Sequence, residues 1–410
     1  MSSTVFQPLT LPNKSVLPNR LAKAAMEENM AIEGHLPGDA MFKLYRAWAT
    51  GGTGLLITGN VMVDHRAMTG PGGVALEAET SLEPFKKWAE AGTQNGTQLW
   101  MQINHPGRQV YAAMGGQVLS PSDIALDMGK HSKLFGKPKP MTEEEILELI
   151  ERFAMTAARA IEAGFHGVQI HAAHGYLISQ FLSPLTNLRD DAWGGSLENR
   201  ARLLYEVVKA VKARLPESAA VSVKLNSADF QRGGFDADDA KQVVKQLSEL
   251  KVDLVELSGG SYESPAMQGN TADGSTLARE AYFLKFAEEI AHNTAMPIMT
   301  TGGITRLPIA EQVLEAGVDI VGMGRALAFT PDLSNKWQDT ADAKANLPEI
   351  EWKDKTLGAL AVMAVTKRQL QRMGQGKAPK PNVSPFFALV ADQMRLKKLT
   401  KAYRKRYNFA

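Results

Sequence analysis

Short, nearly continuous apolar runs alternate along this chain with longer segments in which apolar residues recur every three or four positions. The short runs, rich in Val, Ile and Leu, predict buried strands, and the recurrence predicts amphipathic helices. Eight strand and helix pairs can be traced, with strands at residues 20–26, 54–63, 97–104, 167–171, 220–226, 254–258, 297–301 and 320–324. Regular alternation predicts a parallel sheet, and eight units favour an α/β fold closed into a (β/α)8 TIM barrel over an open sheet.

The helices that follow these strands are expected to begin at capping residues or turns. The predicted starts are Asp39, Thr80, Thr142, Ser196, Asp236, Arg279, Leu307 and Asp332. Glu145 stands three positions after Thr142, the pattern of a capping box. Before the first strand, residues 6–18 predict a hairpin that closes the N-terminal end of the barrel.

We assign residues 1–345 to the barrel and residues 346–410 to a basic helical extension. Within the extension, residues 357–373 have helical spacing, and residues 386–407 combine apolar side chains with many lysines and arginines. From residue 367 onward there are 12 basic residues and one acidic residue, so this tail carries +11 and the rest of the chain −9. The tail is therefore strongly basic, whereas the rest of the chain is acidic, and the two parts are considered separately.

Three interpretations of the tail are open: a helix docked on the acidic body or on a neighbouring subunit of a homo-oligomer, a helix on a membrane surface, and a nucleic-acid-binding arm. Charge complementarity within one molecule favours the first. No nucleic-acid partner is expected.

Composition narrows the chemistry. The chain of 410 residues contains no cysteine, which excludes disulfides, thiolate nucleophiles, iron–sulfur clusters and cysteine-linked flavins. Redox chemistry would therefore need a bound organic cofactor. The chain also lacks a run of 18 apolar residues and a basic leader before an apolar segment, so we expect a soluble, cytoplasmic protein.

Polar residues lie at the C-terminal ends of the predicted strands, where TIM barrels place their active sites. His171, His174 and Tyr176 follow strand four within six residues of one another. A histidine at a strand end is often only a structural hydrogen-bonding group, and His-x-x-His can supply two metal ligands. No third ligand with suitable spacing accompanies this pair, so no metal is expected.

Glycines follow the last two predicted strands, in Thr301-Gly302-Gly303 and in Gly322-Met323-Gly324-Arg325. Exposed backbone N–H groups and a helix N-terminus at this end of a barrel commonly bind a phosphate, and Arg325 adds a positive charge. The alternative is that the glycines only form turns. The pattern favours a phosphorylated ligand.

The segment at residues 168–204, VQIHAAHGYLISQFLSPLTNLRDDAWGGSLENRARLL, resembles the signature of the Old Yellow Enzyme family, FMN-dependent NAD(P)H:flavin oxidoreductases built on a β/α barrel. LWMQINHPGRQ, at residues 99–109, resembles the family's third strand and turn. The resemblance covers residues 5–337 and implies the short, single-barrel form, since no cysteines and no Gly-x-Gly-x-x-Gly follow.

The resemblance implies non-covalent FMN as cofactor and NADH or NADPH as reductant. The residues that it places at the cofactor are Ala25, Met26, Glu27, Asn60, Gln102, Lys224, Gly302, Gly303, Gly324 and Arg325. Among these, the glycines and Arg325 would hold the phosphate, and Gln102 and Lys224 would bond the pyrimidine edge of the flavin. A cation at that edge favours the negative charge of reduced flavin.

The resemblance also implies an ene-reductase, in which hydride passes from flavin N5 to the β-carbon of an enone, enal or nitroalkene. His171 and His174 would stabilise the negative charge that develops on the activating oxygen, and Tyr176 would donate a proton to the α-carbon. Two alternatives stay open: a phosphate-binding barrel with non-redox lyase or isomerase activity, and a flavoprotein without turnover that acts as an interaction module.

Glu27 departs from the family pattern, because that position usually carries Thr, Ser or Cys. A carboxylate that faces the flavin would oppose added electron density and, by hypothesis, lower the reduction potential. Alternatively it turns away and leaves only backbone contact. The loops at residues 109–140 and 259–275, the latter with Tyr262 and Met267, are predicted to border the substrate pocket.

Overall fold

The computed structural model describes residues 3–265 and 283–409. The predicted helix start at Arg279 and the predicted rim residue Met267 lie outside the described residues.

Parallel strands close into a barrel, which confirms the predicted (β/α)8 architecture. The barrel strands are β1 Leu21–Lys23, β2 Leu55–Ile57, β3 Gln98–Asn104, β4 Gly167–Ala172, β5 Ala220–Asn226, β6 Leu254–Ser258, β7 Ile298–Thr301 and β8 Ile320–Met323. β4 pairs with β5 on one side and with β3 on the other, and β8 pairs with β1. The eight barrel strands therefore form a closed ring.

Helices cover the outside of the barrel and continue into the extension. The described helices are α1 Asp39–Thr50, α2 Glu83–Gly92, α3 Glu143–Glu162, α4 Leu177–Leu182, α5 Leu197–Arg214, α6 Ala237–Glu249, α7 Leu284–Ala291, α8 Leu307–Glu315, α9 Arg325–Phe329, α10 Leu333–Asp339, α11 Lys355–Gly374 and α12 Pro385–Tyr407. The predicted capping box is present: the Thr142 hydroxyl accepts from the N–H of Glu145, whose carboxylate accepts from the N–H of Thr142.

Three elements of the barrel differ from their predicted boundaries by more than one residue. Helix α2 begins at Glu83 and not at Thr80, because the Thr80 hydroxyl accepts from the N–H of Glu77 and closes a separate turn. Strand one ends at Lys23 and not at Met26, and the three residues that follow Lys23 line the cavity at the barrel mouth. The predicted strand at residues 54–63 is split, and its second part, Val61–Met62, pairs separately with the end of β3.

The barrel interior is apolar at its N-terminal end. The short strands Leu9–Thr10 and Val16–Leu17 form the predicted antiparallel hairpin, and Leu17 is buried in the same apolar cluster as Trp100. This cluster closes the lower end of the barrel, so side chains that serve chemistry lie above it, toward the C-terminal ends of the strands.

The basic tail packs against the barrel of its own chain. The guanidinium of Arg395 donates to the carbonyl oxygen of Asn29 at 2.6 Å, and the Tyr403 hydroxyl donates to the carbonyl oxygen of His65 at 2.7 Å. The ring of Tyr407 stacks on His65 with 4.4 Å between centroids. Of the described helices, none combines the length and apolar character needed to cross a membrane.

Candidate active site

A cavity of about 480 Å³ opens where the strands end. It is lined by the thirteen residues that the sequence placed in the site: Ala25, Met26, Glu27, Asn60, Gln102, His171, His174, Tyr176, Lys224, Gly302, Gly303, Gly324 and Arg325. These residues come from all but one of the strand ends, β6 being the exception, and the barrel brings them together. Such a volume suits a small organic ligand or cofactor.

The rings of His171, His174 and Tyr176 converge in the cavity wall. The centroid of His171 lies 5.0 Å from that of His174 and 4.8 Å from that of Tyr176, and both contacts are edge to face. His171 is on β4, whereas the other two residues lie in the turn that leads into α4. One small volume is therefore bordered by two imidazoles and a phenol.

The backbone of His174 is held in an uncommon conformation, with a φ of 62°. This left-handed region is unfavourable for a residue with a side chain. The side-chain oxygen of Asn226 accepts from the N–H of His174 at 3.0 Å, and the amide of Gln109 donates to its carbonyl oxygen at 3.0 Å. Contacts from the loop after β3 and from β5 thus fix the turn that presents the ring.

Both imidazoles are neutral at physiological pH. Burial lowers the pKa of His171 and of His174 well below 6.5, and the positive charge of Lys224 lowers it further. Nδ1 of His171 accepts from the N–H of Ala173 at 3.3 Å, which leaves its proton on Nε2. Nε2 of His174 lies 2.7 Å from the Ser258 hydroxyl. If that hydroxyl donates, Nδ1 of His174 carries the proton.

The hydroxyls of Tyr176 and Tyr262 lie 3.2 Å apart. Burial raises the pKa of Tyr176, and the negative charge of Glu27 raises it further, so the phenol stays protonated. The carboxylate of Glu27 lines the cavity and accepts from the Thr69 hydroxyl at 2.8 Å. The negative charge of Glu27 therefore acts on both tyrosines and on any ligand that binds in the cavity beside Met26.

Polar side chains border the opposite part of the cavity. The amide nitrogen of Gln102 donates to Gln169 at 2.7 Å, and the ammonium of Lys224 donates to Glu256 at 2.7 Å. The amide nitrogen of Asn60 is buried in the cavity wall near the Tyr176 hydroxyl, whose pKa it lowers, but it forms no well-aligned hydrogen bond with the described residues. A buried donor without a partner is costly unless a ligand satisfies it.

Glycines and an arginine form the far end of the cavity. Gly302 and Gly303 have φ values of 140° and 75°, which favour glycine. Arg325 lines the cavity and pairs with no acidic side chain of the described residues. Backbone N–H groups together with a cation that no described carboxylate neutralises suit an anion such as a phosphate.

A model of the NADH:flavin oxidoreductase / NADH oxidase family matches residues 4–343. The chain belongs to this family. Two fungal proteins named NADH-dependent flavin oxidoreductase iliE, from Neonectria sp. (strain DH2) and Hypocrea jecorina (strain QM6a), are each 36% identical to it. The match covers 86% of this chain and 49% of the Neonectria protein, so the chain spans about half of that protein. For the Hypocrea protein the match covers 87% of this chain and 96% of the relative.

A solved structure gives the same assignment. The Old Yellow Enzyme homologue from Zymomonas mobilis aligns with a TM-score of 0.72 at 25% identity, over 84% of this chain and 95% of that one. The protein is an FMN-dependent NAD(P)H oxidoreductase, with FMN as cofactor and NADH or NADPH as reductant.

The cavity fits FMN at each end. The amide nitrogen of Asn60 supplies a donor, and Gln102 keeps its carbonyl oxygen as an acceptor because its nitrogen is engaged by Gln169. Lys224 supplies a cation, and Arg325 suits the phosphate. The residues present are thus those that FMN needs, with polar groups for the edge of its ring and a cation for the phosphate of its ribityl chain.

Sequence reasoning missed one wall of this cavity. It is formed by the extension, through Leu347, Ile350, Trp352, Gly358, Ala359, Val362, Met363, Thr366, Lys367 and Leu370. The α11 members recur every three or four residues and so share one helix face. That spacing was visible in the sequence, but it does not say which surface the face covers. Gln169, Glu256 and Ser258 were also missed, since buried polar residues on strands carry no distinctive motif.

Proposed function

We propose that this enzyme reduces C=C bonds activated by a carbonyl or nitro group, in enones, enals and nitroalkenes. The observation that supports it most directly is the convergence of two neutral imidazoles and a protonated phenol on one point of the FMN cavity. An activated alkene needs this combination: hydrogen-bond donors for its oxygen and a proton donor for its α-carbon.

Bound FMN supplies the hydride that adds to the β-carbon of the alkene. Negative charge then develops on the activating oxygen. N–H groups of His171 and His174 stabilise it by hydrogen bonding, in the manner of an oxyanion hole. Since both rings are held by the contacts described above, little reorganisation is needed when the charge appears.

Tyr176 completes the reaction by donating its phenolic proton to the α-carbon. Its raised pKa keeps the donor protonated, and Tyr262 lies at hydrogen-bond distance, where it can return a proton to Tyr176. The negative charge of Glu27 disfavours the phenolate of either tyrosine, so both are protonated before each turnover, and the proton that is spent is finally replaced from solvent.

The proposed function is tested by anaerobic mixing of the purified protein with NADH or NADPH and then with cyclohexenone, while the flavin absorbance is followed. We expect bleaching by the nicotinamide, recovery on addition of the enone, and formation of cyclohexanone. A colourless protein that gains no colour with FMN would support the lyase or isomerase alternative. Bleaching without recovery would support a flavoprotein with no turnover on such alkenes.

The rate of flavin reoxidation by cyclohexenone is expected to vary less than about twofold between pH 7 and 9.5, because neither imidazole nor Tyr176 titrates in that interval. The lowered pKa of each histidine keeps it neutral at and above pH 6.5, and the raised pKa of Tyr176 keeps it protonated past pH 10. Stopped-flow measurement at saturating enone tests this. A change of rate larger than about twofold within that interval, with the protein still folded, would contradict it.

A further inference from the structure

A continuous chain of buried polar side chains crosses the barrel interior beneath the cavity. The amide nitrogen of Gln102 donates to Gln169 at 2.7 Å, and the amide nitrogen of Gln169 donates to Oε2 of Glu256 at 2.9 Å. Oε1 of Glu256 accepts from Nζ of Lys224 at 2.7 Å. Glu256 and Gln169 have no exposed surface, and Lys224 is 4% exposed.

Strand register produces this chain. Gln102 on β3 lies directly across from Gln169 on β4, and Lys224 on β5 lies directly across from Glu256 on β6. The side chains of neighbouring parallel strands share one level of the barrel interior. Both residues that sequence reasoning placed at the flavin edge, Gln102 and Lys224, are thereby bonded to residues that it did not identify.

Glu256 has two consequences for the cofactor. Its carboxylate balances the positive charge of Lys224 inside a low-dielectric interior, where an unbalanced cation would act strongly on a neighbouring flavin. Through Gln169 it also fixes the amide of Gln102, since the Gln169 nitrogen is drawn to Glu256 and its oxygen is left to accept from Gln102.

We propose that Glu256 is a positioning residue that lowers the reduction potential of bound FMN by balancing Lys224 and orienting Gln102 through Gln169. The proposal rests on the proposed placement of Lys224 at the pyrimidine edge of the flavin. A lone cation at that edge stabilises the electron-rich reduced flavin. The Lys224–Glu256 pair stabilises the reduced flavin less, because the carboxylate offsets the charge of the lysine. The reduced enzyme is thus a stronger hydride donor toward alkenes than one with an unbalanced lysine.

Glu256→Gln tests the proposal, because the amide keeps the size of the side chain and removes its charge. We expect the ratio of the dissociation constants of oxidised and reduced FMN to rise at least tenfold, which for a two-electron couple corresponds to a potential about 30 mV higher. The potential is measured anaerobically against a reference dye, and the ratio independently by titrating oxidised and reduced FMN into apo-protein. Glu256→Asp, which keeps the charge but withdraws it from Lys224, should give a smaller rise.

Asp253→Asn is the matched control. Asp253 is also a buried carboxylate, but it lies before β6, at the other end of the barrel, where it accepts from the N–H of Val221 at 2.8 Å. Its removal should leave the potential unchanged. Lys224→Gln should lower the potential, and no change there would refute the placement of Lys224 at the flavin. If Lys224→Gln lowers the potential while both Glu256 variants leave it unchanged or lower, the role of Glu256 is wrong.

Discussion

Alanine in place of His171 or His174 should slow flavin reoxidation by cyclohexenone by about 10²- to 10³-fold, the loss typical of one donor in an oxyanion hole. Each neutral imidazole donates a hydrogen bond to the oxygen that gains charge as hydride reaches the β-carbon. Removal of the ring leaves that charge without a preorganised partner. The rate is measured by stopped-flow mixing of pre-reduced enzyme with the enone.

His174→Asn serves as the matched control, because an asparagine amide can also donate and tolerates the left-handed backbone of this position. It should retain more of the rate than His174→Ala. If both alanine variants were reoxidised at the rate of the unmodified enzyme, with FMN bound equally well, the histidines would have no part in stabilising the developing charge.

Tyr176→Phe should slow reoxidation by cyclohexenone by roughly 10²- to 10⁴-fold, the usual contribution of a positioned general acid. The change removes one hydroxyl and leaves the ring packed against His171. Flavin reduction by NADH or NADPH should be nearly unaffected, since no proton is donated to the alkene in that step. The two half-reactions are measured separately by stopped-flow absorbance.

Tyr262→Phe separates the donor from its neighbour. Because Tyr262 bonds Tyr176 but is not the proposed donor, its loss should have a smaller effect on reoxidation than the loss of the Tyr176 hydroxyl. Equal effects from both variants would indicate that Tyr176 and Tyr262 act together as the proton donor. A Tyr176→Phe enzyme with unchanged reoxidation would rule out donation from this residue.

Local signals explain why the barrel could be predicted. Strand β5 follows from the alternation of apolar and polar residues in AVSVKLN, and α3 from the capping box of Thr142 and Glu145 together with the recurrence of apolar residues behind it. Such signals depend on residues close in sequence. They were weaker where tertiary contacts override them, as at residues 54–63, where Thr58 is drawn to the N–H of Gln102 and the strand breaks.

The candidate site was predictable as a set of residues but not as an electrostatic arrangement. The position of Lys224 late in a strand indicated that it faces the barrel mouth, yet nothing local indicated that Glu256 neutralises it. The orientation of Glu27 likewise depends on Thr69, which lies in a separate loop. Charge and hydrogen-bond partners inside a barrel come from neighbouring strands, so they depend on register.

The sequence alone determined the number and kind of elements, the need for a bound cofactor in a chain without cysteine, and the His171, His174 and Tyr176 motif. Only the tertiary structure decided that α11 walls the cavity, that the basic tail lies on its own barrel, and that Glu256 balances Lys224. The physical reason is the separation of these residues along the chain. Helix periodicity and caps depend on residues a few positions apart, whereas closure of the barrel brings together residues far apart in sequence, and strand register and packing decide which of them pair.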